Sequence, residues 1–550
     1  MQYFHVAVAG TTEGKDENKT LLRKISNLLV EAQMRMEDVL PEEDSCQIRL
    51  FVQDRFTNEF WTQIAAENQM ELRKIDEIST KKTDAPMVRV ASNQELLVQA
   101  DLFIALWDES FEGQEGAIWD LIQRSKEENI PCIWVSKKEP YRTYWAVVSY
   151  FEEYDKDDLR KYCTSIFCRE SKPQQEKKVP LISLGEKLYT RFLRKYKATD
   201  IPDTYEKDVL LDRDGSLSDA AEEAVRTGLL DQFLKYDERA LVYSSRYRAS
   251  IYWRSILPFL ATVFIAIGFY AETLFGFTIL STQCWEILAG IGFLLHAGVN
   301  LYAFYLSKNP QVQSWHADFL KNRVLAEVLR VYIHICPFGY SLNLRTLMDK
   351  CGIDMTQKSG IYGTLREILR KTENPEIKRE KGARDDCLAN LRLLVEDQLA
   401  YHQKSRKRYE KIADTLSRYG KAMFFAGFLI VVFRGILQFF MPAASWTFTR
   451  NGIALKSFVK SFANFLALFI PAWASYFTSK LSLGEFDFMK KNDEEMILCL
   501  EQCREILDAA QQHEVSDDMF QVIVEQVAVL QLSEVSGWRN ETAKKIVSNI

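Results

Sequence analysis

The stretch that most constrains this chain is Ile287 to Ser307, ILAGIGFLLHAGVNLYAFYLS, which carries no Asp, Glu, Lys or Arg. At about 1.5 Å per residue, a helix of this length crosses a hydrocarbon core of roughly 30 Å. Three further stretches have the same character: Ser255 to Ala271, Lys421 to Met441 and Ser461 to Ser479, the third of the four interrupted by Arg434. The sequence therefore predicts four membrane helices, with spans at about 255–275, 287–307, 421–441 and 461–479. The rest of the 550 residues is too much for one core and must form soluble parts placed around those helices.

The net charge of −6, without a polybasic tail or a Lys-rich run, argues against nucleic acid as a partner. Ten cysteines are scattered with no CxxC or Cys/His ladder, so no metal site and no cofactor is expected, and the usage fits reduced soluble regions. The first residues, MQYFHVAVAG, lack a basic segment followed by a long apolar one and do not read as a signal peptide. With the first span beginning after residue 250, the N-terminal part is expected in the cytosol.

Tyr3 to Ala9 is a short apolar run that ends in Gly10-Thr11-Thr12 and precedes a helical stretch from about Asp16 to Leu40. A strand, a tight turn and a helix form the first unit of a parallel sheet. Free backbone N–H groups at such a turn bind anions, and Gly10, Thr11 and Thr12 are candidate ligand contacts; a plain β–α turn is the alternative. Further strands are expected at Cys46 to Val52 and Met87 to Ala91, with a helix over Asn58 to Asn68 burying Phe60, Trp61 and Ile64. Leu102 to Trp107 reads as a buried strand, followed by a loop holding Asp108, Glu109, Gly113, Glu115 and Gly116, a helix from Ala117 to Glu128, and a strand from Pro131. Ligands of open parallel sheets sit at the carboxyl ends of strands, where the acids could take ribose hydroxyls and the glycines let phosphate approach the backbone.

The apolar strand with Trp107-Asp108, the Gly-containing loop, the helix and Ile130-Pro131-X-Ile133-Trp134-Val135 resemble the SLOG superfamily, which includes lysine decarboxylase-like phosphoribohydrolases and nucleotide-ligand sensors. The resemblance implies a Rossmann-like α/β domain over residues 1–138 that binds a nucleotide-derived signal. The family's Gly-Gly-Thr is Glu115-Gly116-Ala117 here and its middle block is not recognisable, which points to binding rather than catalysis. Two enzymatic alternatives stay open: a membrane-tethered phosphoribohydrolase, and a TIR-like NAD-cleaving fold using Glu112, Glu115 or Glu152.

Residues 139–214 read as a helical connector and linker, with an aromatic patch at Tyr141, Tyr144, Trp145 and Tyr150, a helix over Leu184 to Lys197, and a linker from Thr199 to Asp214. A helix is expected from about Ser218 to Arg254, running straight into the first span. Arg239, Arg246, Arg248 and Arg254 precede that span, Lys308 follows the second, and the loop Glu272 to Glu286 has no Lys or Arg, so both flanks are expected in the cytosol. Within the second span His296 and Asn300 lie four apart, as helix-packing groups or lining a water-filled path. Gly290, Gly292 and Gly298 would allow close helix contact.

Arg323, Glu327 and Arg330 share a helix face on which Glu327 can pair with both arginines. With Tyr236-Asp237, Tyr247-Arg248 and Ser314-Trp315-His316 they resemble the SLATT group, two-helix membrane effectors that accompany SLOG domains in bacterial conflict systems. The resemblance implies a two-span unit over 215–345, with Asp237, Tyr247, Arg248, Trp315, His316, Arg323, Glu327 and Arg330 coupling sensor to membrane. A cytosolic insert at 346–390 and a second unit at 391–550 follow, the latter marked by Glu396-Asp397-Gln398, Tyr401-His402 and a terminal Glu534 and Trp538. Arg434 either snorkels toward the outer surface or faces protein or a pore; with His296 and Asn300 it is a candidate gating residue.

The expected fold is thus an α/β Rossmann-like domain followed by an all-α region with four transmembrane helices. The expected function is a ligand-sensing effector of bacterial anti-phage defence in the inner membrane, multi-pass with both termini cytoplasmic. Its partners would be a nucleotide-derived small molecule, the lipid bilayer and further copies of itself. A non-enzymatic membrane scaffold is the remaining alternative.

Overall fold

The computed structural model describes residues 2–10, 15–38, 40, 45–53, 59–75, 96–97, 100–108, 118–128, 130–138, 140–147, 150–167, 178–196, 225–278, 282–353, 360–372, 383–440, 449–450, 453–513, 515–516 and 519–533. The strand expected over 87–91, the linker over 199–214 and the pair Glu534 and Trp538 lie outside them.

Among the described residues, seven strands form one mixed sheet: β1 (Gln2–Ala9), β2 (Cys46–Gln53), β3 (Glu71–Ile75), β4 (Leu102–Trp107), β5 (Cys132–Ser136), β6 (Thr143–Val147) and β7 (Tyr150–Glu153), in the order β3-β2-β1-β4-β5-β6-β7. The first five are parallel; β6 and β7 continue the sheet antiparallel. Central strand β1 pairs Val8 with both Val52 and Ile104. Its apolar run follows from burial on two faces. Phe4, Val6 and Val8 enter a core with α1 (Lys15–Glu37), α2 (Glu59–Glu67) and α4 (Lys156–Phe167), while Ala7 and Ala9 enter the opposite one with α3 (Ile118–Glu127). Phe60, Trp61 and Ile64 are buried on α2. The α/β unit does not stop at residue 138. The aromatic patch expected in the connector supplies β6, where Tyr144 stacks on Trp134 at 4.2 Å and Trp145 packs near Tyr154 and Tyr162.

After α5 (Ile182–Arg194) and a π-helical turn (Val225–Leu230) comes α6 (Asp231–Thr278), then α7 (Thr282–Lys308) and α8 (Pro310–Ile335). Short helices α9 (Leu344–Lys350) and α10 (Ile361–Thr372) follow, then α11 (Ala383–Phe440), α12 (Leu455–Leu483), α13 (Phe486–Gln512) and α14 (Met519–Ser533). The plan repeats: a long helix, a returning helix, and a third that doubles back along the first. The α7–α8 break is local chemistry, since Asn309 Oδ1 accepts from the N–H of Gln311 at 2.9 Å and of Val312 at 3.4 Å, with Pro310 at the first helical position. Residues 383–390, the end of the expected insert, already belong to α11.

Among the described residues, four helices are long and apolar enough to cross a membrane, and only 6% of the apolar stretch of α7 is buried within the molecule. An apolar surface of that size needs lipid or another chain over it. The extensive contacts between them are α7–α6, α6–α12 and α12–α11, so the spans stand in a row. Away from the spans, α6, α8, α11 and α13 join α9, α10 and α14 in one large helical core containing Phe233, Leu329, Leu391, Leu500 and Phe520.

Candidate functional site

Strand order reverses between β1 and β4, and the crevice at their carboxyl ends is where open α/β sheets take ligands. Gly10 lies there with φ +106°; a Cβ would stand 2.7 Å from Leu106 Cβ and closer still to the Leu106 carbonyl oxygen. Only glycine fits, because β1 and β4 approach too closely for a side chain. Its carbonyl accepts from Trp61 Nε1 at 2.9 Å, which ties the turn to α2. Asp108 is exposed beyond the end of β4. Thr11, Thr12, Glu109, Gly113, Glu115 and Gly116 lie outside the described residues, as does Glu112.

Helices α6 and α8 bring most of the sequence-predicted coupling residues together. Arg323 Nη1 donates to Asp237 Oδ1 at 3.0 Å and Arg323 Nη2 meets Glu327 Oε1 at 2.7 Å; Glu327 Oε2 meets Arg330 Nη1 at 3.1 Å. The Glu327 and Arg330 side chains are buried, and the Arg330 guanidinium lies 5.3 Å from the centre of the Phe233 ring. Nearer the spans, Tyr247 contacts His316 at 4.5 Å between ring centres, and buried Trp315 packs among Ala249, Trp253 and Leu257. Arg248 departs from this group: burial opposes its charge, but Tyr189 on α5 with Tyr409 and Tyr401 on α11 surrounds it and raises its pKa. The second unit has a counterpart that sequence reading did not pair, with buried His402 of α11 at 2.7 Å from Asp493 of α13.

Within the spans, His296 Nδ1 is 2.9 Å from the Ala261 carbonyl oxygen on α6, and Asn300 Nδ2 is 3.0 Å from His296 Nε2. This pair binds helix to helix. Gly292 faces the backbone of α6, where a Cβ would be 2.9 Å from both Phe264 O and Gly268 N, whereas Gly290 and Gly298 have nothing within 4 Å, contrary to expectation. Arg434 Nε donates to Asn464 Oδ1 at 2.8 Å, so its head faces α12 rather than running to the outer surface.

One cluster went unnoticed in the sequence: the junction between the sheet and the helical core. Asp101, just before β4, accepts from Arg366 of α10 through Nε–Oδ1 at 2.8 Å and Nη2–Oδ2 at 2.6 Å, and from the His5 N–H at 2.9 Å. Arg366 Nη2 also donates to Tyr3 O at 2.6 Å, and Arg370 stands 3.5 Å from Asp101. Burial pushes the Asp101 pKa up, but the two guanidiniums outweigh it and hold the carboxyl far below the usual carboxylate range. Beside them Arg345 lies over Tyr162 at 4.9 Å and Tyr362 at 5.5 Å. Tyr162 donates its hydroxyl hydrogen to Asp101 O, and Thr346 Oγ1 donates to Glu128 Oε2 at 2.8 Å. Arg366 and Arg370 are four apart on a helix, but nothing local ties them to an aspartate 265 residues earlier.

Comparison with family models, curated proteins and solved structures gave no match for this chain.

Proposed function

We propose that this chain is a ligand-sensing membrane effector: its α/β domain binds a nucleotide-derived signal, and its four apolar helices, assembled from several copies, permeabilise a bilayer in response. The observation that carries the reading is α6, one helix from Asp231 to Thr278 that begins in the water-side helical core and continues as an apolar span. The helix is continuous through Pro258, which costs it one backbone hydrogen bond at the start of the apolar half, so its two halves are joined without a loop between them. The strand order with its reversal at β1 and β4 supports a Rossmann-like reading and nucleotide binding at that crevice, by way of Gly10 and Asp108. The four described spans stand in a row with most of their apolar surface uncovered, which supports assembly from further copies. The resemblance to SLOG and SLATT proteins adds the setting: anti-phage defence at a bacterial inner membrane, with both termini cytoplasmic.

The test uses the full chain reconstituted in dye-loaded vesicles and challenged with a panel of nucleotide signals. The expected result is dye release by one of them, with a matching rise in thermal stability and no turnover. Release of a base or nicotinamide would instead favour the phosphoribohydrolase or NAD-cleaving alternative. Absence of both release and thermal shift across the panel would leave only the scaffold.

A further inference from the structure

Helix α5 lies across the ends of the four spans nearest the water-side helical core. Where it begins, the Tyr302 hydroxyl of α7 donates to Pro180 O at 2.7 Å, and Trp253 Nε1 of α6 donates to Leu181 O at 3.0 Å. One face of the helix, Ile182, Gly185 and Tyr189, is buried. A Cβ on Gly185 would stand 2.6 Å from Trp253 Nε1 and 3.2 Å from Ala249 Cβ, so α5 lies directly on α6. Where it ends, Phe192 covers the Lys480 ammonium of α12 at 3.5 Å, and Leu193 and Tyr196 pack against Ile412 and Leu416 of α11 with Phe486. Trp253, Tyr302, Lys480 and Leu416 all stand close to where the sequence sets the end of a span. Trp and Tyr at such ends mark the headgroup level of a bilayer.

The rest of α5 divides into two flanks. Leu184, Leu188, Arg191 and Lys195 follow one stripe at helical spacing, and Ser183, Glu186 and Thr190 follow the other. Leu181 and Leu184 are 50% and 44% exposed, and Lys187, Arg191, Arg194 and Lys195 are exposed beside them. Four cations stand against one acid, Glu186, and among the described residues none of the four is in an ion pair. We propose that α5 lies in the plane of the bilayer surface and binds anionic phospholipids, its leucines in the acyl boundary and its cations on the lipid phosphates. A helix with an apolar stripe beside a basic one takes this position. Each cation close to an anionic surface strengthens binding about fivefold. The consequence is mechanical. Through α5 and the residues leading into it, all four spanning helices touch one surface helix, so its grip on the leaflet holds their ends at a fixed spacing. The inference rests on the four helices crossing a bilayer, and on neither ligand binding by the sheet nor permeabilisation.

Hydrogen exchange on the full chain in lipid nanodiscs tests the proposal, with phosphatidylcholine alone and with phosphatidylglycerol added. The expected result is that phosphatidylglycerol slows exchange of the amides of residues 182–195 about tenfold or more, and that high salt shrinks the difference. The variant Lys187→Gln/Arg191→Gln/Arg194→Gln/Lys195→Gln should exchange alike in the two lipids while keeping wild-type exchange in the core of α6 and α8, which separates lost lipid binding from lost folding. Arg191→Lys/Arg194→Lys keeps the charge and should keep most of the slowing. Equal exchange of the wild-type segment in both lipids, slowing that survives in the four-Gln variant, or the same slowing by inorganic phosphate in phosphatidylcholine discs would each overturn it. A chain that stays out of the discs would overturn it together with the membrane reading, whereas lipid-dependent slowing in a chain that answers no nucleotide would support it and count against the sensor reading alone.

Discussion

Replacing Asp101 by Asn tests whether the junction is held by charge. The substitution keeps the shape of the side chain and an oxygen for the His5 N–H, but removes the charge that Arg366 grips at 2.6 and 2.8 Å and Arg370 approaches at 3.5 Å. The Asp101 and Arg366 side chains are 1% and 3% exposed, so water cannot replace the lost partner. Breaking a buried pair by removing one member costs about 3–5 kcal/mol. At about 1.36 kcal/mol per factor of ten, the amides of α10 and the start of β4 should exchange at least about a hundredfold faster. The double variant Asp101→Asn/Arg366→Met should recover about 2 kcal/mol of that loss, because the stranded guanidinium is gone and a flexible apolar chain takes its place. Local exchange is the right assay, since a chain with several cooperative units has no single unfolding free energy. Exchange within about threefold of wild type in Asp101→Asn, or a double variant as labile as the single, would refute the reasoning that charge rather than packing holds the two parts together.

Gly292→Val should lower thermal stability in detergent by about 1–3 kcal/mol, because its side chain meets the α6 backbone, while Gly290→Val, with nothing within 4 Å, should leave it unchanged; equal effects would mean α6 and α7 cross elsewhere. Arg434→Leu should cost about 1 kcal/mol through the lost bond to Asn464 and leave basal ion leak of vesicles unaltered; a changed leak would put this side chain on a conducting path. Acidification should destabilise the water-side helical core. Burial lowers the His334 pKa to about 4 from 6.5, so the unfolded chain takes up a proton on that residue between those values and the folded one does not. Stability is full above about pH 6.5 and falls by about 2 kcal/mol at pH 5 from this group alone; His334→Leu should flatten that slope in thermal scans.

Long, periodic or extreme features were legible in the sequence. Spans show because lipid demands some twenty apolar residues in a row, and β1 and β4 because burial on both faces leaves no alternation to disguise them. Arg323, Glu327 and Arg330 were found because spacing on one helix is local information, and Asp237 because a flanking pattern pointed to it. β3, Glu71–Ile75, was missed: ELRKI is an edge strand with two basic residues and carries no apolar signature. β6 and β7 read as connector in the sequence because a short aromatic segment looks the same whether it packs on a helix or extends a sheet. The junction was illegible for a different reason. Asp101 and Arg366 are ordinary surface types, and only the tertiary fold places them side by side in a dry interior. The Gly290 and Gly298 expectation failed because glycines on a span mark where a helix can approach, not which neighbour does.

The position of the junction alters how a signal could travel. Sequence order suggests a path from the sheet through the connector into α6, since those segments are consecutive. The contacts suggest a second. Asp101 and Glu128 of the α/β unit grip α10 and α9, these pack in the same core as α8, and α8 is tied to α6 by Asp237, Arg323 and Glu327. Apolar packing between two helices tolerates sliding by a fraction of a turn, because one leucine replaces another at small cost. The ion pair between Arg323 of α8 and Asp237 of α6 is less tolerant: shifting α6 by a full turn, about 5.4 Å, would pull the two groups, now 3.0 Å apart, past hydrogen-bonding range. The network therefore favours discrete registers of α6 over a continuum of positions. That is what a switch requires, because a ligand can shift a population only between states that it binds with different affinity.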